Sequence, residues 1–126
     1  MAIRAAVVGM GSYYSVNFAR ALRALGTARV ELVGAAHLGV DDETLSRHTK
    51  LTRAGFGERF GVRTFERAED LLAETRPQLV CVAAPDRDKP HYAAMAVDAG
   101  ADVYLSKPMA CSVEGASAIR AAARRH

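Results

Sequence analysis

The amino-acid sequence predicts an α/β domain built as a doubly wound parallel sheet with strand order 3-2-1-4-5. Three observations lead there. Five short apolar runs lack the polar alternation of a half-exposed strand. A stretch with helical spacing or helix-capping residues separates each run from the next. The first run ends at a glycine turn that opens directly into such a stretch. Strands covered on both faces and joined by helices form parallel sheets, and right-handed crossovers leave few strand orders. In this order the ends of the first and fourth strands border the crevice where open α/β sheets bind ligands.

Residues 3–8, Ile-Arg-Ala-Ala-Val-Val, read as the first strand, ending at Gly9. From Ser15 to Leu25 the apolar residues Phe18, Leu22 and Leu25 recur at helical spacing, and Gly26 is placed to end that helix. Residues 30–36 form the second strand. The polar stretch from Asp41 to Arg59 begins with capping residues and predicts one helix over 43–53, broken at Gly55 and Gly57. Val62 to Phe65 is a short third strand, and Arg67 to Thr75 a short helix around Leu71 and Leu72. Residues 78–84, Gln-Leu-Val-Cys-Val-Ala-Ala, are the most apolar strand. A turn from Pro85 to Pro90 leads to a helix over 90–99 closed by Gly100. Residues 102–105 are the fifth strand, and Ser112 caps a last helix that Glu114 supports.

Composition narrows the function classes. The 126 residues are 50% hydrophobic and 25% charged, the make-up of one globular domain. Such a chain buries enough surface to need no disulfide or metal. Cys81 and Cys111 have no second pair, which points to a reducing compartment and away from a zinc site. No apolar run reaches the length of a membrane span, and the opening residues do not read as a signal peptide. The expectation is a cytoplasmic protein. Net charge is +3, and all but three of the 17 basic residues are arginines scattered along the chain. Nucleic-acid binders cluster such residues on one face, so no nucleic-acid partner is expected.

The crevice is where chemistry enters. The first strand runs into Gly9-Met10-Gly11-Ser12-Tyr13-Tyr14-Ser15 and then a helix. The first glycine allows a tight turn, the second lets a phosphate approach the backbone, and the helix N-terminus offers free N–H groups. A third glycine would pack the helix on the strand. Its usual position holds Tyr14, which is too large, so the preferred register has one extra residue and puts small Ser15 there.

Three segments carry a family resemblance: Ala-Val-Val-Gly-Met-Gly at 6–11, Leu-Val-Cys-Val-Ala-Ala-Pro-Asp at 79–86, and Ala-Gly-Ala-Asp-Val-Tyr-Leu-Ser-Lys-Pro at 99–108. Their order and separations resemble the N-terminal domain of the glucose–fructose oxidoreductase / inositol dehydrogenase (Gfo/Idh/MocA) family along essentially the whole chain. The resemblance implies a Rossmann domain binding NAD or NADP, residues 1–126 being the first domain of a longer oxidoreductase. That enzyme would act on a sugar, polyol or related hydroxy compound. A small-molecule substrate is expected only where a second α/β domain is present, and self-association into a homo-oligomer through the edge of the fifth strand or the last helix is expected. The resemblance implies Lys107 as the residue assisting catalysis. It implies Ala84, Pro85, Asp86, Lys107 and Pro108 at the cofactor, beside Gly9, Gly11, Ser12, Tyr13 and Ser15 of the turn. No metal is implied.

Several positions depart from the family pattern. Ser106 stands where the family has glutamate before Lys-Pro, Ala84 where it has threonine before Pro85, and Lys89 where it often has histidine. His91, two positions later, reads as a helix-start residue. An acidic residue ordinarily ends the second strand and accepts both ribose hydroxyls. Here the position is His37, which in mild acid would gain charge and favour a 2′-phosphate. Leu38 and Gly39 after it supply no arginine, so NAD versus NADP stays open. Two alternatives remain: a cofactor-free interaction or regulatory domain, and a module for another phosphate ligand such as coenzyme A, which Lys107-Pro108 speaks against.

Overall fold

The computed structural model describes residues 1–126. Its sheet has the order β3-β2-β1-β4-β5, with every neighbouring pair parallel. The strands are β1 (Ile3–Val8), β2 (Val30–Ala36), β3 (Thr64–Phe65), β4 (Leu79–Val82) and β5 (Asp102–Leu105). The helices are α1 (Tyr13–Ala24), α2 (Asp42–Thr49), α3 (Arg53–Phe60), α4 (Ala68–Thr75), α5 (Lys89–Asp98) and α6 (Val113–Arg125).

The alternation of β1 divides the core in two. Ala5 and Val7 face one layer with Val16, Ala19 and Leu22 of α1, Leu45 of α2, and Phe56 and Phe60 of α3. Ala6 and Val8 face the other, with Leu71 and Leu72 of α4 and Ala96 of α5. Successive strand residues point to opposite faces, which is why strands sandwiched between helices carry no polar alternation. Phe56 is fully buried, its ring 4.8 Å from that of Phe60. Burial of such a side chain contributes about 1.5–3 kcal/mol. Cys81 in the middle of β4 is buried, and desolvation pushes its thiol up to about 11, so it is a packing residue. β5 is an edge strand. On the α1 side of the sheet its Tyr104 stays exposed and meets Phe18 edge-on at 5.6 Å.

One expectation is overturned. The single helix over 43–53, broken by Gly55 and Gly57, is two helices, and both glycines lie inside the second. The break falls at Lys50, which is left-handed at φ 61° and closes α2. Thr52 then caps α3 by accepting the Gly55 N–H at 3.0 Å, a cap that outweighs the low helix propensity of two glycines. Gly57 is needed for space: a Cβ there would lie 2.9 Å from the Val62 carbonyl oxygen. Smaller shifts have similar causes. α1 starts at Tyr13 rather than Ser15 because Ser12 is its cap. β4 stops at Val82, and the buried Ala83 and Ala84 belong to the turn that follows.

Candidate functional site

β1 delivers the chain to a turn that requires glycine. Gly9 has φ +97°, and a Cβ on it would sit 2.7 Å from the backbone of Ala83 and Ala84. The end of β1 is thus pressed directly on the end of β4, and the Gly9 N–H donates to the Ala36 carbonyl of β2 at 2.9 Å. Ser12 then caps α1: its Oγ accepts the Ser15 N–H and its carbonyl accepts the Ser15 Oγ–H at 2.6 Å. The N–H groups of Gly11, Ser12, Tyr13 and Tyr14 are bonded to no protein acceptor. Four free donors at the positive end of a helix form an anion cradle. Ser15 is fully buried under this turn, while Tyr14 is 37% exposed. The small residue therefore packs where the helix meets the sheet.

A cleft of about 450 Å³ crosses the carboxyl ends of the strands. Gly9, Met10, Gly11, Ser12 and Tyr14 form its middle. One end is walled by Leu38 and Val40 after β2 and by Thr44, Arg47 and His48 of α2. The other end is walled by Ala83, Ala84, Pro85 and Asp86 after β4, with Lys89 and Ser106. Of the residues singled out from the sequence, Gly9, Gly11, Ser12, Ala84, Pro85 and Asp86 therefore line one cleft. Tyr13 lies outside it, exposed, with its ring 6.5 Å from His48. Lys107 and Pro108 are exposed and follow Ser106 out of the lining.

His37 does not line the cleft. It is 7% exposed, its N–H donates to the Phe65 carbonyl at 2.8 Å, and its Nδ1 is buried without a protein partner. Burial, and next the nearby Arg53 charge, lower its pKa below the ordinary 6.5, against the opposing pull of Glu66 and Asp42. Its protonation thus falls at lower pH than an exposed histidine's. The arginine that lines the cleft on this side is Arg47 of α2, ten residues after His37. Thr44, Arg47 and His48 share one face of that helix through i, i+3 and i+4 spacing, a spacing already present in the helix expected over 43–53. Arg47 forms no ion pair, and no carboxylate lines this end of the cleft.

Lys89, which the sequence shows only as a departure from the family pattern, is the other residue of the site that was not singled out. It sits in the first turn of α5 and is only 2% exposed. Its Nζ donates to Asp86 Oδ1 at 2.8 Å and to the carbonyls of Pro108 at 2.9 Å, Ser106 at 3.2 Å and Lys107 at 3.3 Å. Ser106, also buried, approaches the Val82 carbonyl with its N–H at 3.2 Å and its Oγ at 3.4 Å. No three His, Cys, Asp or Glu side chains gather where they could hold a metal ion, and no helix is long and apolar enough to cross a membrane.

Two features fit a dinucleotide: the free N–H groups over Gly11–Tyr14, and the elongated cleft that continues to both sides of them. Comparison with known proteins agrees with the geometry. The family described as an oxidoreductase family with an NAD-binding Rossmann fold (Gfo/Idh/MocA) matches residues 3–126. No curated protein sequence matches. Among solved structures, the WlbA dehydrogenase from Chromobacterium violaceum, in complex with NADH and UDP-GlcNAcA, is 27% identical with a TM-score of 0.82, over 98% of this chain and 32% of that one. GenD2 from gentamicin A biosynthesis, in complex with NAD, is 28% identical with a TM-score of 0.77, over 98% and 32%. Biliverdin reductase from Synechocystis sp. PCC 6803, in complex with biliverdin and NADP+, is 25% identical with a TM-score of 0.77, over 98% and 35%. The chain spans about a third of the length of these proteins.

Proposed function

The chain belongs to the Gfo/Idh/MocA oxidoreductase family, as its NAD-binding Rossmann domain, and from that premise we propose that it holds NADP(H) in preference to NAD(H). The observation that carries the preference is the α2 end of the cleft, where Arg47 is unpaired and no carboxylate is present. A carboxylate there would accept both ribose hydroxyls and repel a 2′-phosphate; an arginine nearby accommodates the phosphate. The pyrophosphate lies on the free N–H groups of Gly11 to Tyr14, and the nicotinamide half extends towards Pro85, Asp86 and Ser106.

Residues 1–126 are, in this reading, the first domain of a longer cytoplasmic enzyme. The bound nicotinamide supplies hydride transfer, and the substrate is a sugar, polyol or related hydroxy compound, a reading supported by the similar WlbA dehydrogenase, whose structure holds UDP-GlcNAcA. Lys107, exposed beside Ser106, donates a hydrogen bond to the reacting oxygen once a second domain holds the substrate there.

Titration calorimetry of the chain with NADPH and NADH tests the reading. The expected result is binding of both, with NADPH tighter by about tenfold, the free-energy step of one charge-assisted contact. Binding of neither overturns the cofactor reading, and tighter binding of NADH overturns the preference.

A further inference from the structure

We propose that Lys89 is the positioning residue for the nicotinamide half of the cleft, holding the turn Ser106–Pro108 and the Asp86 carboxylate in one arrangement before any ligand arrives. The inference rests on the cofactor reading above.

Four observations carry it. An ammonium has three N–H donors, and Lys89 Nζ has four oxygens within 3.3 Å. It has no donor left for a ligand, although it lies in the cleft wall. Three of those oxygens are consecutive backbone carbonyls, Ser106 to Pro108, so the contact fixes a path of main chain rather than a side chain. The fourth belongs to Asp86, on the loop after β4, so one cation joins the two loops that flank this end of the cleft. Finally, the placement is costly in two ways. The charge is almost wholly buried, and it sits in the first turn of α5, where the helix dipole disfavours a cation and the turn itself holds no acidic residue, so that Asp86 on the preceding loop is its paired carboxylate. An apolar residue would fill the space without either cost but would remove the protein donor from three carbonyls, of which that of Ser106 is buried.

Held this way, Ser106 and Asp86 present a preset surface, and the exposed Lys107 side chain leaves the turn from a backbone that does not have to be ordered on binding. Preorganisation of this kind raises affinity by lowering the ordering cost. It acts on the part of the ligand that touches these loops and on no other part.

The test separates the two halves of the cofactor. Titrate the chain and its Lys89→Met variant with NADPH and with 2′,5′-ADP, which keeps the adenosine half and lacks the nicotinamide. The proposal expects Lys89→Met to weaken NADPH by tenfold or more and to leave 2′,5′-ADP within twofold. It also expects the fluorescence change of NADPH on binding to be reduced at saturation. Lys89→Arg, which keeps a cation with N–H donors, recovers part of the loss. Equal weakening of both ligands overturns the proposal, as does no weakening of either. A wild-type chain that binds neither overturns the cofactor reading, and this proposal with it. Should Lys89→Met fail to fold, the wild-type chain decides: backbone 15N order parameters of Lys107 and Met109 without ligand should match those of β4. Values typical of a mobile loop, below about 0.6, overturn it.

Discussion

The two ends of the cleft are built in opposite ways. At the α2 end, polar side chains stand on a helix of eight residues that is anchored mainly by Leu45, 2% exposed and packed towards Gly11. Arg47 and His48 are exposed there. At the β4–β5 end, the groups are three backbone carbonyls and the Asp86 carboxylate, held by one buried ammonium. The first end can discriminate among ligands through charge, because its groups are free. The second sets geometry, because its groups are already satisfied. Between them lies the glycine turn on which both depend.

The sharpest way to break the comparison is to remove what the two ends share. Gly9→Ala places a Cβ 2.7 Å from the Ala83 and Ala84 backbone, at φ +97°. Backbone cannot yield as a flexible side chain would, so β1 and β4 must separate. We expect a loss of about 3 kcal/mol or more in urea denaturation, within the range for overpacking and left-handed strain combined, and no measurable binding at either end. Gly11→Val is the contrasting case. A Cβ there meets only Leu45, at ordinary contact distances of 3.4 Å to its Cδ2 and 3.8 Å to its Cα, so stability should fall by about 1 kcal/mol or less. The added methyls enter the space the pyrophosphate needs, and calorimetry should find NADPH binding lost while the far-ultraviolet dichroism stays native. Equal affinity for wild type and Gly11→Val sinks the phosphate assignment.

The comparison is sharpened by Arg47→Ala, which acts on one end only. Hydrogen bonds to a charged group are worth about 1.5–3 kcal/mol, so NADPH should weaken by about 10–100-fold and NADH by less than threefold. Raising salt should narrow the difference in the wild type, because exposed charges are screened. A uniform loss for both dinucleotides would place Arg47 away from the 2′-phosphate.

The difference between the ends also explains what could be read from the sequence. The sheet order, the glycine turn and the strand-end segments 79–86 and 99–108 were legible. Each joins an apolar run to a turn residue with a local reason for its place. The Ser15 register was legible too, because a tyrosine cannot fit where a helix packs on a strand. Lys89 was visible only as a departure. Its four acceptors come from residues three and 17 to 19 positions away, and no local rule connects them. The α2 end was hidden for a different reason. Gly55 and Gly57 read as breakers, yet the structure needs one of them inside α3 for space and lets Thr52 cap that helix. The expected 43–53 helix already held the spacing of Thr44, Arg47 and His48, but nothing local shows which face of it meets the cleft, and His37 was read at the ribose instead.

His37 supplies the smallest effect and the one that moves furthest from its sequence reading. At the ribose, it would gain charge in mild acid and raise the NADP/NAD affinity ratio. The side chain is instead buried beside Phe65, outside the cleft, with Arg53, Glu66 and Asp42 as the charged groups around it. Burial lowers its folded pKa below the unfolded value near 6.5. Above pH 6.5 both states are neutral and the contribution to stability is complete. As pH falls below 6.5 the unfolded chain takes up the proton first, so stability drops until the folded-state pKa is passed. The slope for this one proton cannot exceed about 1.4 kcal/mol per pH unit. Urea denaturation of wild type and His37→Gln from pH 7.5 to 5 should show the wild type losing more stability over the acid part of the range, and the variant curve flatter there. The ratio of NADPH to NADH affinity should change no more in the wild type than in His37→Gln over the same range. A ratio that rises in acid only when His37 is present would return this side chain to the ribose and set the burial argument aside.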